Sequence, residues 1–88
     1  MVERYVAVVL HPHALDRMGT RLISRRQIEQ VIASPTRTFP STNPPGGIVA
    51  ERLTTAGNTL RVVYVEREGP DGLEAFVLTV IRIGGKAT

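Results

Sequence analysis

The chain has no cysteine, which excludes disulfides, thiol nucleophiles and thiolate metal sites and is consistent with a reducing compartment. Its histidines number two, too few to complete a zinc site alone, and the carboxylates are scattered, so neither a metal nor a cofactor is expected. Apolar runs are short. The longest, Val6 to Leu10, has the length of a buried strand and falls far below the ~20 residues of a membrane span. The N-terminus carries no basic region, long apolar core or small-residue cleavage site of a secretory signal, and the expected location is the cytoplasm. Lysine is nearly missing as well: ten arginines stand against the single Lys86.

Arginine's planar fork suits bidentate phosphate contacts and stacking better than a lysine point charge does. With a net charge of +3 and a pI near 10.2, this composition points to a nucleic-acid or other polyanionic partner. A genome whose base composition favours arginine codons accounts for it equally well. Residues 1–88 are expected to form one domain, burying roughly 60–65% of the unfolded surface around one core.

Residues 2–10, VERYVAVVL, alternate and then become continuously apolar, which predicts a first strand. Pro12 suits the first position of a helix. Leu15, Met18 and Leu22 follow the i, i+3, i+7 spacing of an inward face, while His13, Arg17 and Arg21 form another stripe. Gly19-Thr20 is expected to fray or end this helix before Arg21. Ser24 with Gln27 forms the capping box of a second helix, whose apolar face is Ile28, Val31 and Ile32 and which Pro35 stops. Residues 36–47, TRTFPSTNPPGG, read as a loop anchored by Phe39.

From there the period becomes two. Strands are predicted at 48–54, 59–67 and 73–83, with turns at Ala56-Gly57-Asn58 and at 68–72, EGPDG, and a loose tail at 84–88. Leu60, Val62 and Tyr64 share one strand face; Arg61, Val63 and Val65 share the other. The expected class is α+β, ordered β-α-α-β-β-β, with the helical hairpin packed on one face of a mostly antiparallel sheet in a two-layer sandwich. The opposite face is then partly solvated or covered by a partner.

The stretch His13-Ala14-Leu15-Asp16-Arg17-Met18-Gly19-Thr20-Arg21-Leu22-Ile23-Ser24 resembles the signature H-A-x-x-R-M-x-x-R-x-I-S of the bacterial family domain of unknown function 4258. The resemblance spans roughly residues 10–83 and continues in Gln27 to Pro35, Leu60-Arg61-Val62-Val63 and Val77-Leu78-Thr79-Val80. The element order is similar to that of BrnT and, more distantly, RelE-type toxins. That similarity implies a RelE-like sandwich, a metal-independent ribonuclease of a toxin–antitoxin system, RNA as substrate and a cognate antitoxin as partner. This chain differs from those toxins in having almost no lysine and no basic C-terminal helix.

Metal-free RNA cleavage needs a base for the 2′-OH, an acid for the leaving oxygen and cations around the transition state. His13 is the acid–base candidate, since an imidazole titrates near neutral pH. Arg17, Arg61 and Arg82 are the candidate clamp, with Arg61 and Arg82 interrupting apolar strands that a meander brings side by side. Arg21, Arg25, Arg26, Tyr64 and Thr79 are candidate RNA contacts. Each has a structural alternative: His13 bonding near a helix start, Arg17 and Arg21 pairing with Asp16, Glu51 or Glu66, Arg25 and Arg26 on a solvated helix surface, Tyr64 in the core and Thr79 as an ordinary strand residue. A non-catalytic module that contacts nucleic acid or a protein through its arginines therefore stands beside the ribonuclease reading. A helix-turn-helix regulator is disfavoured, because the second helix needs its apolar face for packing.

Overall fold

The computed structural model describes residues 4–55 and 57–84. Its elements are β1 (Ala7–Leu10), α1 (Pro12–Arg21), α2 (Arg25–Ala33), β2 (Arg37–Thr42), β3 (Pro45–Leu53), β4 (Thr59–Gly69) and β5 (Gly72–Ile83). The strands form one five-stranded mixed sheet in the order β1-β5-β4-β3-β2. β1 runs parallel to β5 and every other pair is antiparallel. Both helices lie on the same face, α1 over β5 and β1 and α2 over β4 and β3, so the fold is α+β.

Local chemistry places both helices. The His11 imidazole caps α1 by accepting from the His13 N–H at 3.0 Å, and Pro12 opens the first turn. Ser24 and Gln27 form the reciprocal capping box of α2, at 3.1 and 2.9 Å. Ile28 and Val31 are wholly buried and Ile32 nearly so, on the side of α2 that faces β4 and β3, in one core cluster with Ala50, Leu60, Val62 and Tyr64 of those strands. A nine-residue helix is not stable alone; this packing holds it.

Four expectations are corrected. The segment 36–47 is not a loop but an edge hairpin: β2 occupies half of it, and β3 begins at Pro45 rather than residue 48. Pro40 is tolerated because an outermost strand has backbone positions that need no N–H donor; Pro45 opens β3 ahead of its first pairing with β4 at Ile48, and the turn holds the cis Asn43–Pro44 peptide. The order therefore gains a strand, β-α-α-β-β-β-β. The first strand is shorter than 2–10: it begins at Ala7, although Tyr5 is already buried, and residues 1–3 lie outside the described residues. α1 does not break at Gly19-Thr20 but continues to Arg21, with the Thr20 hydroxyl donating to the Asp16 carbonyl at 3.1 Å.

The inward face of α1 is also different. Ala14 is fully buried and Met18 packs against the core, whereas Leu15 and Leu22 are 53% and 83% exposed. Alanine at the contact lets the helix sit close to β5, and the cap then sets a rotation that turns Leu15 outward. Leu22 adopts the left-handed region, φ 54°, as the C-cap of α1. Glycine or asparagine is the usual occupant, because a Cβ costs about 1 kcal/mol there. Since Leu22 buries little, Leu22→Gly is expected to raise stability by about 0.5–1 kcal/mol, read as a higher denaturant midpoint at unchanged m.

The turn between β3 and β4 includes Ala56, which lies outside the described residues, and the tail beyond Gly84 does too. No described helix is long and apolar enough to cross a membrane.

Candidate functional site

Four arginines act on backbone carbonyls instead of projecting freely. Arg21 donates to Val80 O at 2.8 Å, Arg52 to Ser34 O at 2.6 Å, and Arg82 to Arg21 O and Leu22 O at 3.3 and 3.0 Å. Arg25 donates to Val8 O on the outer strand β1 and pairs with Glu29. A guanidinium offers five donors in a fixed fork, so one side chain can satisfy several carbonyls at a helix end, which an ammonium cannot do with the same geometry. Much of the arginine excess is accounted for by this clamping of helices to sheet.

The residues expected to surround one phosphate are divided. His13 is exposed on α1, its Nε2 accepting from Arg17 Nε at 3.4 Å. Arg82 sits opposite Leu60 and shares the helix-covered face, while Arg61 sits opposite Ile81 on the other face. Tyr64 is core, ring edge-on to Tyr5 at 5.8 Å. Burial pushes the Tyr5 phenol far above its ordinary range, and contacts with Tyr64 and Glu66 add to the effect, so it is no acid at neutral pH. Thr79 pairs with Val63 and lies on the uncovered face; Arg26 is exposed on α2. The pairing alternatives also resolve differently: Glu51 pairs with Arg37 and Arg61, and Glu66 with Arg4, not with Arg17 or Arg21.

What converges instead is the sheet face without helices. Register aligns Arg37, Glu51, Arg61 and Ile81 across it in one row, and Phe39, Val49, Val63 and Thr79 in the next. Val65, Phe76 and Val9 make a third row, and Arg67 opposite Glu74 closes the far end. Val49 is buried yet stands outside the helix-side core cluster, as a residue of this second face does. Each phenylalanine is covered by guanidinium: Arg37 and Arg61 lie 5.0 and 6.0 Å from the Phe39 centroid, and Arg67 lies 4.1 Å from that of Phe76. The His11 ring meets Phe76 edge-on at 5.6 Å, joining the cap of α1 to this face.

Glu51 organises one end. Its carboxylate accepts from Arg37 Nε at 2.7 Å and Arg61 Nε at 2.6 Å. The Arg37 bond, and then the Arg61 contact, hold its pKa below the ordinary glutamate value against the opposing effect of desolvation. A lowered carboxylate contributes stability that is present above the unfolded-state value, about 4.3, and is lost as pH falls through the folded-state value. Glu51→Gln is therefore expected to narrow the stability loss between neutral pH and pH 3, read from urea melts at both pH values; the effect is modest because Arg37 is largely solvated.

Arg37, Arg67, Phe76 and Glu51 were not marked as site residues by the sequence, and Phe39 was read only as a loop anchor. The alternation of Arg61, Val63, Val65 and Arg67 along β4 was the available signal. Among the described residues, no three His, Asp or Glu side chains come together as metal ligands would. Comparison of the chain with family models, curated proteins and solved structures finds no match.

Proposed function

We propose that the protein is a non-catalytic binding module that holds a protein partner on the uncovered face of its sheet. One observation carries this reading: at the middle of β4 and β5 the face without helices is also apolar, with Val63, Val65, Phe76 and Ile81 set between its arginines. An antiparallel sheet with a solvated face ordinarily alternates apolar with polar, and a strand apolar on both sides belongs to a sheet covered twice. Val63, Val65, Phe76 and Ile81 supply an apolar centre, and Arg37, Arg61 and Arg67 the rim, which is the composition of a protein–protein interface with arginine and aromatic anchors. A RelE-like identity and a place in a toxin–antitoxin pair belong to the same proposal, with the antitoxin as partner. The ribonuclease reading has the His13–Arg17 contact as its support and needs Arg61 and Arg82 to join it.

The test combines a photo-crosslinker at position 65, a control crosslinker at position 26 on α2, and Val65→Lys. One defined protein is expected to crosslink from position 65 and not from 26. Its purified complex with the wild-type chain should be lost in Val65→Lys, which changes stability by under about 1 kcal/mol. RNA incubated with wild type or with His13→Ala should stay intact. Cleavage that requires the His13 imidazole would replace this reading with the ribonuclease.

A further inference from the structure

The charge on the rim is layered. Arg37, Arg61 and Arg67 expose 65%, 34% and 45% of their side chains, whereas Glu51 and Glu74 beneath them expose 7% and 13%. A body approaching this face meets guanidinium first, with the carboxylates recessed behind. The rings of Phe39 and Phe76 hold those guanidiniums in place, so little side-chain freedom is lost on contact. A second copy is disfavoured as the occupant, since face-to-face pairing of identical surfaces sets cationic rim against cationic rim.

The spacing of the cations limits the partner's shape. Arg61 and Arg67 lie on the same face of β4, six positions apart, which is about 20 Å at ~3.4 Å per residue. A lone extended segment laid flat on the face directs its N–H and C=O groups sideways, where no neighbouring strand is present to pair with them. A helix satisfies those groups internally, and about 13 helical residues cover the same 20 Å.

We infer that the uncovered face takes an amphipathic acidic helix of the partner protein, aligned with β4. Its apolar stripe lies on Val63, Val65 and Phe76, and its carboxylates, about 14 residues and so about four turns apart, meet Arg61 with Arg37 at one end and Arg67 at the other. This inference rests on the binding-module reading and adds the chemistry, secondary structure and axis of the occupant.

The test uses fluorescein-labelled amphipathic peptides of about eighteen residues. One carries glutamates at the two bracketing positions, a second carries lysines there, and labelled oligouridine serves as a third probe. Fluorescence anisotropy is expected to show the glutamate peptide binding at least ~10-fold tighter than the lysine peptide, with the gap closing as salt rises. Arg67→Ala, which adds no repulsion against Glu74, should shrink the gap, and Arg67→Glu should invert the order. Val65→Lys should weaken both peptides.

Equal affinity for the two peptides, or an order indifferent to position 67, overturns the acidic helix; if Val65→Lys still weakens binding, the face itself survives. Peptide binding untouched by Val65→Lys overturns the face and the helix together. Binding of neither peptide up to about millimolar concentration, ~4 kcal/mol of affinity, overturns the helical occupant and leaves the crosslinking result to judge the face. Oligouridine binding tighter than the glutamate peptide overturns both in favour of nucleic acid.

Discussion

Ile28→Ala is expected to remove about 2–5 kcal/mol of stability, a large share of the roughly 5–10 kcal/mol that holds a domain of this size. Ile28 is fully buried at the centre of the face that α2 turns to β4 and β3. Truncation loses the transfer energy of the side chain and leaves a cavity. The core cluster Ile28 belongs to is rich in valine, including Val31 of the same helix and Val62 of β4, β-branched residues whose stiff χ1 resists collapse into the gap. α2 is too short to persist without this contact, so the loss spreads to the whole hairpin. A thermal midpoint lowered by more than about 10 °C is the expected reading; a shift of under about 2 °C would show that the helix is held by something other than this packing.

Arg82→Ala is expected to cost about 2 kcal/mol, and Arg82→Lys to recover less than half of that. The guanidinium donates to Arg21 O and Leu22 O at the end of α1 and reaches Asn58 Oδ1 at 3.3 Å in the β3–β4 connection. It thereby ties a helix terminus, the last strand and a turn together. Hydrogen bonds from a charged donor contribute more than neutral ones, discounted here because the site is half-exposed. An ammonium is a single point with no fork and cannot meet three acceptors in these directions. Urea melts of the three proteins, with hydrogen exchange at the α1 C-terminus, check this; lysine restoring wild-type stability would mean that charge alone matters.

That same arginine shows where reading along the chain stopped being sufficient. Arg61 and Arg82 were expected to converge because their strands are neighbours. Counting pairs from the 69–72 turn does place Arg82 opposite Thr59, on the face of Arg61. The pairing shifts between Val63 and Tyr64, however, whose partners are Thr79 and Val77, so Leu78 is an extra residue in β5. One inserted residue exchanges the faces of everything beyond it. Val80 and Arg82 move to the helix side, Thr79 and Ile81 to the open side.

Local signals determined a good deal. The capping box at Ser24 and Gln27, the apolar face of α2, the alternation of β4 and the Gly-Pro-Asp-Gly turn depend on residues within a few positions of one another, and each stands where the pattern put it. The α+β class with a helical hairpin on one sheet face followed from those elements. Tertiary structure decided the rest: the edge hairpin within 36–47, the outward turn of Leu15 and Leu22, the use of Arg21, Arg25, Arg52 and Arg82 as clamps on carbonyls, and the gathering of Arg37, Phe39, Arg67 and Phe76 on one face. Each depends on which strand lies beside which, and in what register. A composition or a periodicity does not contain that information, because a one-residue shift in pairing reverses the face of a side chain without altering the pattern along its own strand.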